Sequence, residues 1–354
     1  MWTASGSGEI LVHDPMSSLL VPSCAPFHAR SSPPVPGLIF RRPRGEADYP
    51  SLVDVYNRAT IADELDMVAT AVDFGYWLSP TSRFNPALDV VLAEVEGRVV
   101  AYGTVNREAE IDARVHALGG RVAPEWRRKG IGRAILQHNE RRARTIAASE
   151  PAAPPHCFQA FVFSSAPGAT ALLESERYAP VRHFYDMVRD GLADLPDAPL
   201  PPGLEVRPVQ PAHYRAIWEA EQEAMRDHWG FTPGDDGDYE RWLKVPHSDP
   251  SLWSVAWDGA EVAGQVLSFI KPEENRAWNR KRGYTEFISV RKPWRGRGLA
   301  RALIGLSFQA LRARGMTETS LAVDTANESG ALRLYEQCGF RVEMQSLAYR
   351  KPMT

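Results

Sequence analysis

A chain of 354 residues is too long for one typical domain and long enough for two, each able to bury its own core without disulfide or metal staples. With 44% apolar and 24% charged residues, a net charge of -3 and no apolar run of about 18 residues, the composition argues against a membrane-spanning helix and an extended nucleic-acid footprint. The three cysteines, Cys24, Cys157 and Cys338, have neither metal-ligand nor disulfide-framework spacing, which predicts free thiols, no metal and a reducing, cytoplasmic setting.

Residues 1–35 carry Ser and Pro clusters and a weak apolar patch at 19–21, and their charge order does not match a secretory signal. They read as a flexible extension, or as an over-long start with Met16 as another candidate. From Gly37-Leu38 an opening strand with Arg41 leads to a helical stretch over 50–69, then to paired strands over 90–102 that turn at Glu96-Gly97. After residues 122–134 the first half closes on a short helix at 169–176. Residues 191–202 are rich in prolines, which remove backbone donors and favour extended chain, so they read as a linker between a domain at 36–190 and another at 203–354.

The second half repeats the plan. Gly203-Leu204 with Arg207 opens it, 212–223 is helical, and 253–266 pairs strands around Asp258-Gly259. Then follow a strand at 284–290, a helix at 299–314 closed by Gly315, a strand at 320–323 and a helix at 329–338 closed by Gly339. The repeat is explicit in the middle of each half: Val122-Ala-Pro-Glu-Trp126-Arg127-Arg128-Lys129-Gly130-Ile131-Gly132 aligns without gaps on Val290-Arg-Lys-Pro-Trp294-Arg295-Gly296-Arg297-Gly298-Leu299-Ala300. Each copy sits between a strand and a helix, where glycine allows close backbone approach and unpaired helix amides suit a phosphate. Arginine adds positive charge for a diphosphate.

These residues resemble the acetyl-CoA pyrophosphate motif of GCN5-related N-acetyltransferases. The later run Asn327-Glu-Ser-Gly-Ala-Leu-Arg-Leu-Tyr335-Glu-Gln-Cys338-Gly339-Phe340 is similar to the family's second signature, in which an Asn contacts the cofactor arm and a helix Tyr faces the thioester sulfur. The resemblance covers nearly everything after residue 36, and the tandem layout is most like the mycothiol synthase branch. It implies an α/β (α+β) fold of two tandem domains, each a mixed, mostly antiparallel twisted sheet flanked by helices. It also implies acetyl-CoA as cofactor and a primary amine of a small molecule or peptide as acceptor.

Amide formation from a thioester needs a base for the amine, donors for the oxyanion and an acid for the thiolate. On helical spacing Ala331, Leu334, Tyr335 and Cys338 share an inward face, so Tyr335 is the candidate acid. Glu286 is the candidate base and is expected to share a strand face with Ile288 and Val290, whose neighbourhood supplies backbone amides for the oxyanion. In the first half the gapless alignment puts Leu118 in the place of Glu286, and a looser one puts Leu173 in the place of Tyr335 and Ser165 in that of Asn327. That half is therefore expected to hold cofactor through Val122 and residues 127–132 without turning it over, or to be a decayed site.

Asp227, His228, Trp229 and Phe231 are candidates for the acceptor side, with packing of the aromatic pair against the other domain as the alternative. Arg276, Arg280 and Arg282 form a charged loop that either recruits an acidic acceptor or is solvated. His116 reads as structural. The expected protein is an N-acetyltransferase with its chemistry in the second half, a monomer or homodimer that binds no nucleic acid or membrane. The rival readings are mycothiol synthase proper and a catalytically silent acyl-CoA sensor.

Overall fold

The computed structural model describes residues 33–193, 198–327 and 330–353. Most of the N-terminal extension, Cys24 and part of the linker lie outside the described residues. Along the chain run β1 (Leu38–Arg41), α1 (Tyr49–Ala62), α2 (Ala71–Trp77), α3 (Pro86–Asp89), β2 (Val90–Val95), β3 (Arg98–Ala109), β4 (Arg114–Val122), α4 (Ile131–Ala147), β5 (His156–Phe163), α5 (Pro167–Ser175) and β6 (Ala179–Asp190). The second series is β7 (Glu205–Val206), α6 (Tyr214–Ala224), α7 (Asp236–Trp242), β8 (Trp253–Asp258), β9 (Glu261–Ile270), α8 (Pro272–Ala277), β10 (Arg282–Val290), α9 (Leu299–Ala313), β11 (Glu318–Asp324), α10 (Ala331–Gln337) and β12 (Arg341–Pro352). The helix expected over 50–69 ends at Ala62, where the chain turns through Glu64 at a φ of 55° and Asn57 binds back to Ala69.

All twelve strands form one sheet in the order β1-β2-β3-β4-β5-β12-β6-β11-β10-β9-β8-β7. Pairing is antiparallel except at β4/β5 and β10/β11. The last strand of each half lies among the other half's strands: β6 pairs with β11, and β12 with β5, while β6 and β12 pair with each other at the centre. What reads in sequence as two sheets is thus hydrogen-bonded into a single one, with the exchanged strands as the seam.

Period-two alternation sorts the core. In β2, Val90 and Leu92 pack with Leu52 and Val55 of α1, whereas Val91 and Ala93 pack with Ile131 and Ile135 of α4, so those helices cover opposite faces. The second half repeats this: Val255 and Leu267 meet Ile217 of α6, and Ala256 and Val266 meet Leu299 and Leu303 of α9. Phe308, fully buried on α9, lies 5.7 Å from Phe340 with the two rings tilted by 52°. Truncating Phe308 to Ala is expected to cost about 3–5 kcal/mol of unfolding free energy, measurable by urea denaturation, because the void cannot collapse between two layers.

Ion pairs join the halves on the α1/α6 face. Arg282, nearly buried, contacts Asp66 at 2.8 Å, Glu343 at 2.7 Å and Glu318 at 2.6 Å, and Arg280 also binds Asp66. Arg83 binds Asp238. Two arginines of the charged loop are therefore neither solvated nor free to recruit an acceptor; they clamp the loop after α1.

Candidate active site

β10 and β11 pair only from Arg282 to Tyr284 and then part, leaving a gap between the two strands. Thr285, the next residue, is pinned by a fully buried hydroxyl network: its Oγ1 lies 2.9 Å from Ser307 Oγ and 2.8 Å from Thr319 Oγ1, and Ser307 meets Ser268 at 2.8 Å. Sequence reasoning missed this support, since scattered Ser and Thr carry no spacing signal.

Beyond Thr285 the strand is irregular. Glu286 lies opposite Leu267 and Ser289 opposite Gln265, so Phe287 and Ile288 both face Val266 in a β-bulge. Phe287 has a φ of 49°. The extra residue overturns the expectation that Glu286 shares a face with Ile288 and Val290. Glu286 follows Leu267 to the α6 side, while Ile288 and Val290 pack on the α9 side.

Glu286 is half-buried and takes the backbone N–H of Ala322, filling the rung that β10 and β11 no longer form. Burial, then the nearby charge of Asp186, pushes its carboxyl up to about 8 against the pull of Lys271. Tyr335 lies buried on α10, ring edge toward Phe340 at 6.2 Å. Its hydroxyl has no hydrogen-bond partner among the described residues, and burial with the charge of Glu286 raises its pKa. The structure thus brings Glu286 and Tyr335 to the two sides of one gap. Asn327 sits half-buried in the turn between β11 and α10.

At the mouth of the gap, Gly296 and Gly298 adopt φ of 75° and 83°, and Gly298 starts α9 with no side-chain cap. The amides of Gly298, Leu299 and Ala300 are left without helical partners. Leu299 itself points into the core, so only its backbone faces the mouth. Arg295 departs from its expected role: its guanidinium binds the carbonyls of Val290 at 2.8 Å and Ala224 at 2.9 Å, bracing the loop rather than reaching out. Arg127 repeats this with the carbonyls of Val122 and Ala59 and a two-pronged pair to Asp63.

The first half also has a cleft, with leucines at the positions aligned with Glu286 and Tyr335. A cavity of about 530 Å³ between β4 and β5 is lined by Arg128, Gly130 and Gly132 and, deeper in, by Leu118 and Leu173. Arg128 holds the left-handed φ of 62° that Gly296 holds in the other copy, and Ile131 is buried in the core. Lys129 lies over the Trp126 ring at 4.5 Å. β4 pairs with β3 without a bulge. His116 is buried, 3.1 Å from His156, and burial lowers its pKa to about 4, so it stays neutral.

The 227–231 segment does not gather at the gap as an acceptor cage. Asp227 is bound to Lys292 at 2.9 Å, and Trp229 lies 5.9 Å from Phe184 of β6 beneath Arg350 of β12. Trp229 packs on the exchanged strands. His228 is half-buried with its pKa lowered, first by burial and then by Arg295, and Phe231 is half-buried. The alternative that sequence spacing could not show is a cavity of about 210 Å³ between the halves, lined by Tyr56, Tyr76, Trp77, Trp242, Trp253 and Phe287. It touches the bulge through Phe287 and Leu267 and carries Lys271, Glu273 and Glu274.

Comparisons with known proteins agree with this architecture. The sequence model of the acetyltransferase (GNAT) family matches residues 214–340, and that of an acetyltransferase (GNAT) domain matches residues 86–164, together more than half of the chain. A mycothiol acetyltransferase of Salinispora arenicola is 28% identical over 301 residues, covering 83% of this chain and 91% of that protein. That of Geodermatophilus obscurus is 26% identical over 278 residues, covering 74% and 82%. A solved GCN5-related N-acetyltransferase from Sphaerobacter thermophilus superposes with a TM-score of 0.68 at 28% identity, over 90% of this chain and 96% of that one. A tandem GNAT protein from the clavulanic acid biosynthesis pathway shares the fold with a TM-score of 0.62 at 18% identity, over 89% and 98%. No helix of the described residues is long and apolar enough to cross a membrane. Two clefts of one design, each opening on an uncapped glycine-started helix and each matched by a model of the same family, make this chain a tandem member of the GNAT N-acetyltransferases, which use acetyl-CoA, and one that resembles mycothiol synthase.

Proposed function

We propose that the second half transfers acetyl from acetyl-CoA directly to the primary amine of a small-molecule acceptor, and that the first half holds the same cofactor without turning it over. The observation that carries this reading is the contrast between the two gaps: a bulged β10 with Glu286 in electrostatic reach of Tyr335, against an unbroken β4 with Leu118 and Leu173. Acetyl-CoA supplies a thioester whose carbonyl the amine attacks. Glu286 takes the proton that the amine loses, and Tyr335 gives its proton to the departing thiolate sulfur. A phenol whose pKa is raised keeps that proton at neutral pH until the thiolate forms. Backbone amides at the bulge face the oxyanion, and the loop of residues 295–300 with Asn327 holds the pyrophosphate and arm.

The acceptor enters from the α6 side, where the interdomain cavity reaches the bulge. Its aromatic walls and carboxylates suit a compact amine. Mycothiol synthase proper, which acetylates the cysteine amine of a pseudodisaccharide thiol, is the second reading, favoured by the relatives that carry that name. A silent sensor is disfavoured for the second half by Glu286 and Tyr335. The cytoplasmic setting rests on two unpaired described cysteines, Cys157 and Cys338.

Calorimetric titration with acetyl-CoA tests the reading. A Cβ at Gly298 meets no atom within 4 Å, so Gly298→Glu projects a carboxylate into the phosphate position at the modest strain of its φ of 83°. Gly130→Glu does the same in the other loop, next to Pro33. Two equivalents in the wild type, with each variant losing one, are expected. A single equivalent lost with Gly298→Glu leaves the first half as a decayed site, and no binding by a folded protein sinks the proposal.

A further inference from the structure

The exchanged strand β6 belongs in sequence to the first half, yet it pairs with β11, the strand that borders the catalytic gap. Asp186 of β6 lies in register with Ala322 of β11, the residue whose N–H caps Glu286. Its neighbour Met187 is buried on the α9 side, so alternation turns Asp186 to the α6 side, the side of Glu286 and of the interdomain cavity. Asp186 is half-buried, and its carboxylate accepts no hydrogen bond among the described residues. An unpaired carboxylate beside a second one is not a structural brace.

We propose that Asp186, contributed by the first half, is a positioning residue of the second half's site: its charge beside Glu286 sets the ionisation of that base and draws the acceptor's ammonium group toward it. The inference rests on the reading of Glu286 as the base. Around Glu286 stand Lys271 from the end of β9, Tyr335 from α10 and Asp186 from β6. Around Asp186 stand Asp66 from the loop after α1 and Glu343 from β12, both bound to Arg282 of β10. Arg282 therefore spends its charge on Asp66, Glu343 and Glu318 and leaves Asp186 unpaired. Burial and those two acids push Asp186 up to about 6, below the value of about 8 for Glu286, so Asp186 ionises first and then opposes ionisation of its neighbour.

The titration needs no acceptor. In carboxyl-¹³C-labelled protein, Glu286 is identified by the resonance that Glu286→Gln removes, and its titration is followed in Asp186→Asn and in the charge-preserving Asp186→Glu. The midpoint is expected to fall by about one pH unit in Asp186→Asn and to stay in Asp186→Glu. Asp186→Ser, smaller at the same strand position, stands in if the Asn variant does not fold. An unmoved midpoint overturns the role of Asp186 while leaving Glu286 as base. Wild-type turnover by Glu286→Gln, by contrast, sinks the mechanism on which the inference rests, whatever the titrations show.

Discussion

Replacing Tyr335 with Phe is expected to lower kcat for CoA release by roughly 10²-fold, with acetyl-CoA affinity unchanged. The change removes one oxygen from a buried ring. That oxygen has no hydrogen-bond partner among the described residues, so no structural bond is lost, and Phe retains the edge contact to Phe340 at 6.2 Å. What disappears is the proton for the departing thiolate. The loss should therefore fall on kcat and not on cofactor binding, a split that steady-state kinetics with a panel of small primary amines, paired with calorimetry, resolves. Unchanged kcat at every pH would remove Tyr335 from the mechanism.

Glu286→Gln should lower kcat/KM by roughly 10²- to 10³-fold and erase one limb of its pH dependence. Glutamine keeps the side-chain oxygen that can take the Ala322 N–H and abolishes the basic form. The sign follows from the ionisation. A base must be deprotonated to act, and burial together with Asp186 pushes Glu286 up to about 8, so the wild-type rate should climb with pH through that value and level off above it. The amine's own ionisation acts equally on both proteins when one acceptor is used throughout, so the difference between the two profiles belongs to Glu286. Coinciding profiles would assign proton removal to another group or to water.

Much of this was legible in the sequence. The gapless match of 122–132 on 290–300 located two equivalent strand-to-helix loops because a glycine that must start a helix in the left-handed region, at Gly130 and Gly298, tolerates few alternatives. The spacing of Ala331, Leu334, Tyr335 and Cys338 placed the phenol inward because helical periodicity is local and the buried face of α10 obeys it. That leucines, Leu118 and Leu173, line the first cleft needed no structure to suspect, because an apolar residue aligned with a carboxylate or a phenol is visible in the letters themselves.

The features that escaped it depend on partners far along the chain. Two-residue alternation misplaced Ile288 and Val290 relative to Glu286, because a bulge is set by register against β9 and by the buried hydroxyls of Ser268, Ser307 and Thr319, not by the strand's own residues. Arg295 and Arg127 looked like phosphate ligands because a motif shows charge and not direction; carbonyls at the ends of neighbouring elements claim both. Likewise Arg280 and Arg282 read as acceptor-recruiting or solvated until Asp66, more than two hundred residues earlier, came within reach.

By itself, then, the sequence determined the family and the repeat, with its two glycine-started helices, all carried by residue type at short range. Only the tertiary structure decided that the halves exchange their last strands, that an aromatic cavity forms between them and that Asp186 lies beside Glu286. Strand order is a property of long-range hydrogen bonding. β6 and β12 each close a half, and nothing in the residues of either says whether its own half or the other supplies the partner that satisfies its backbone.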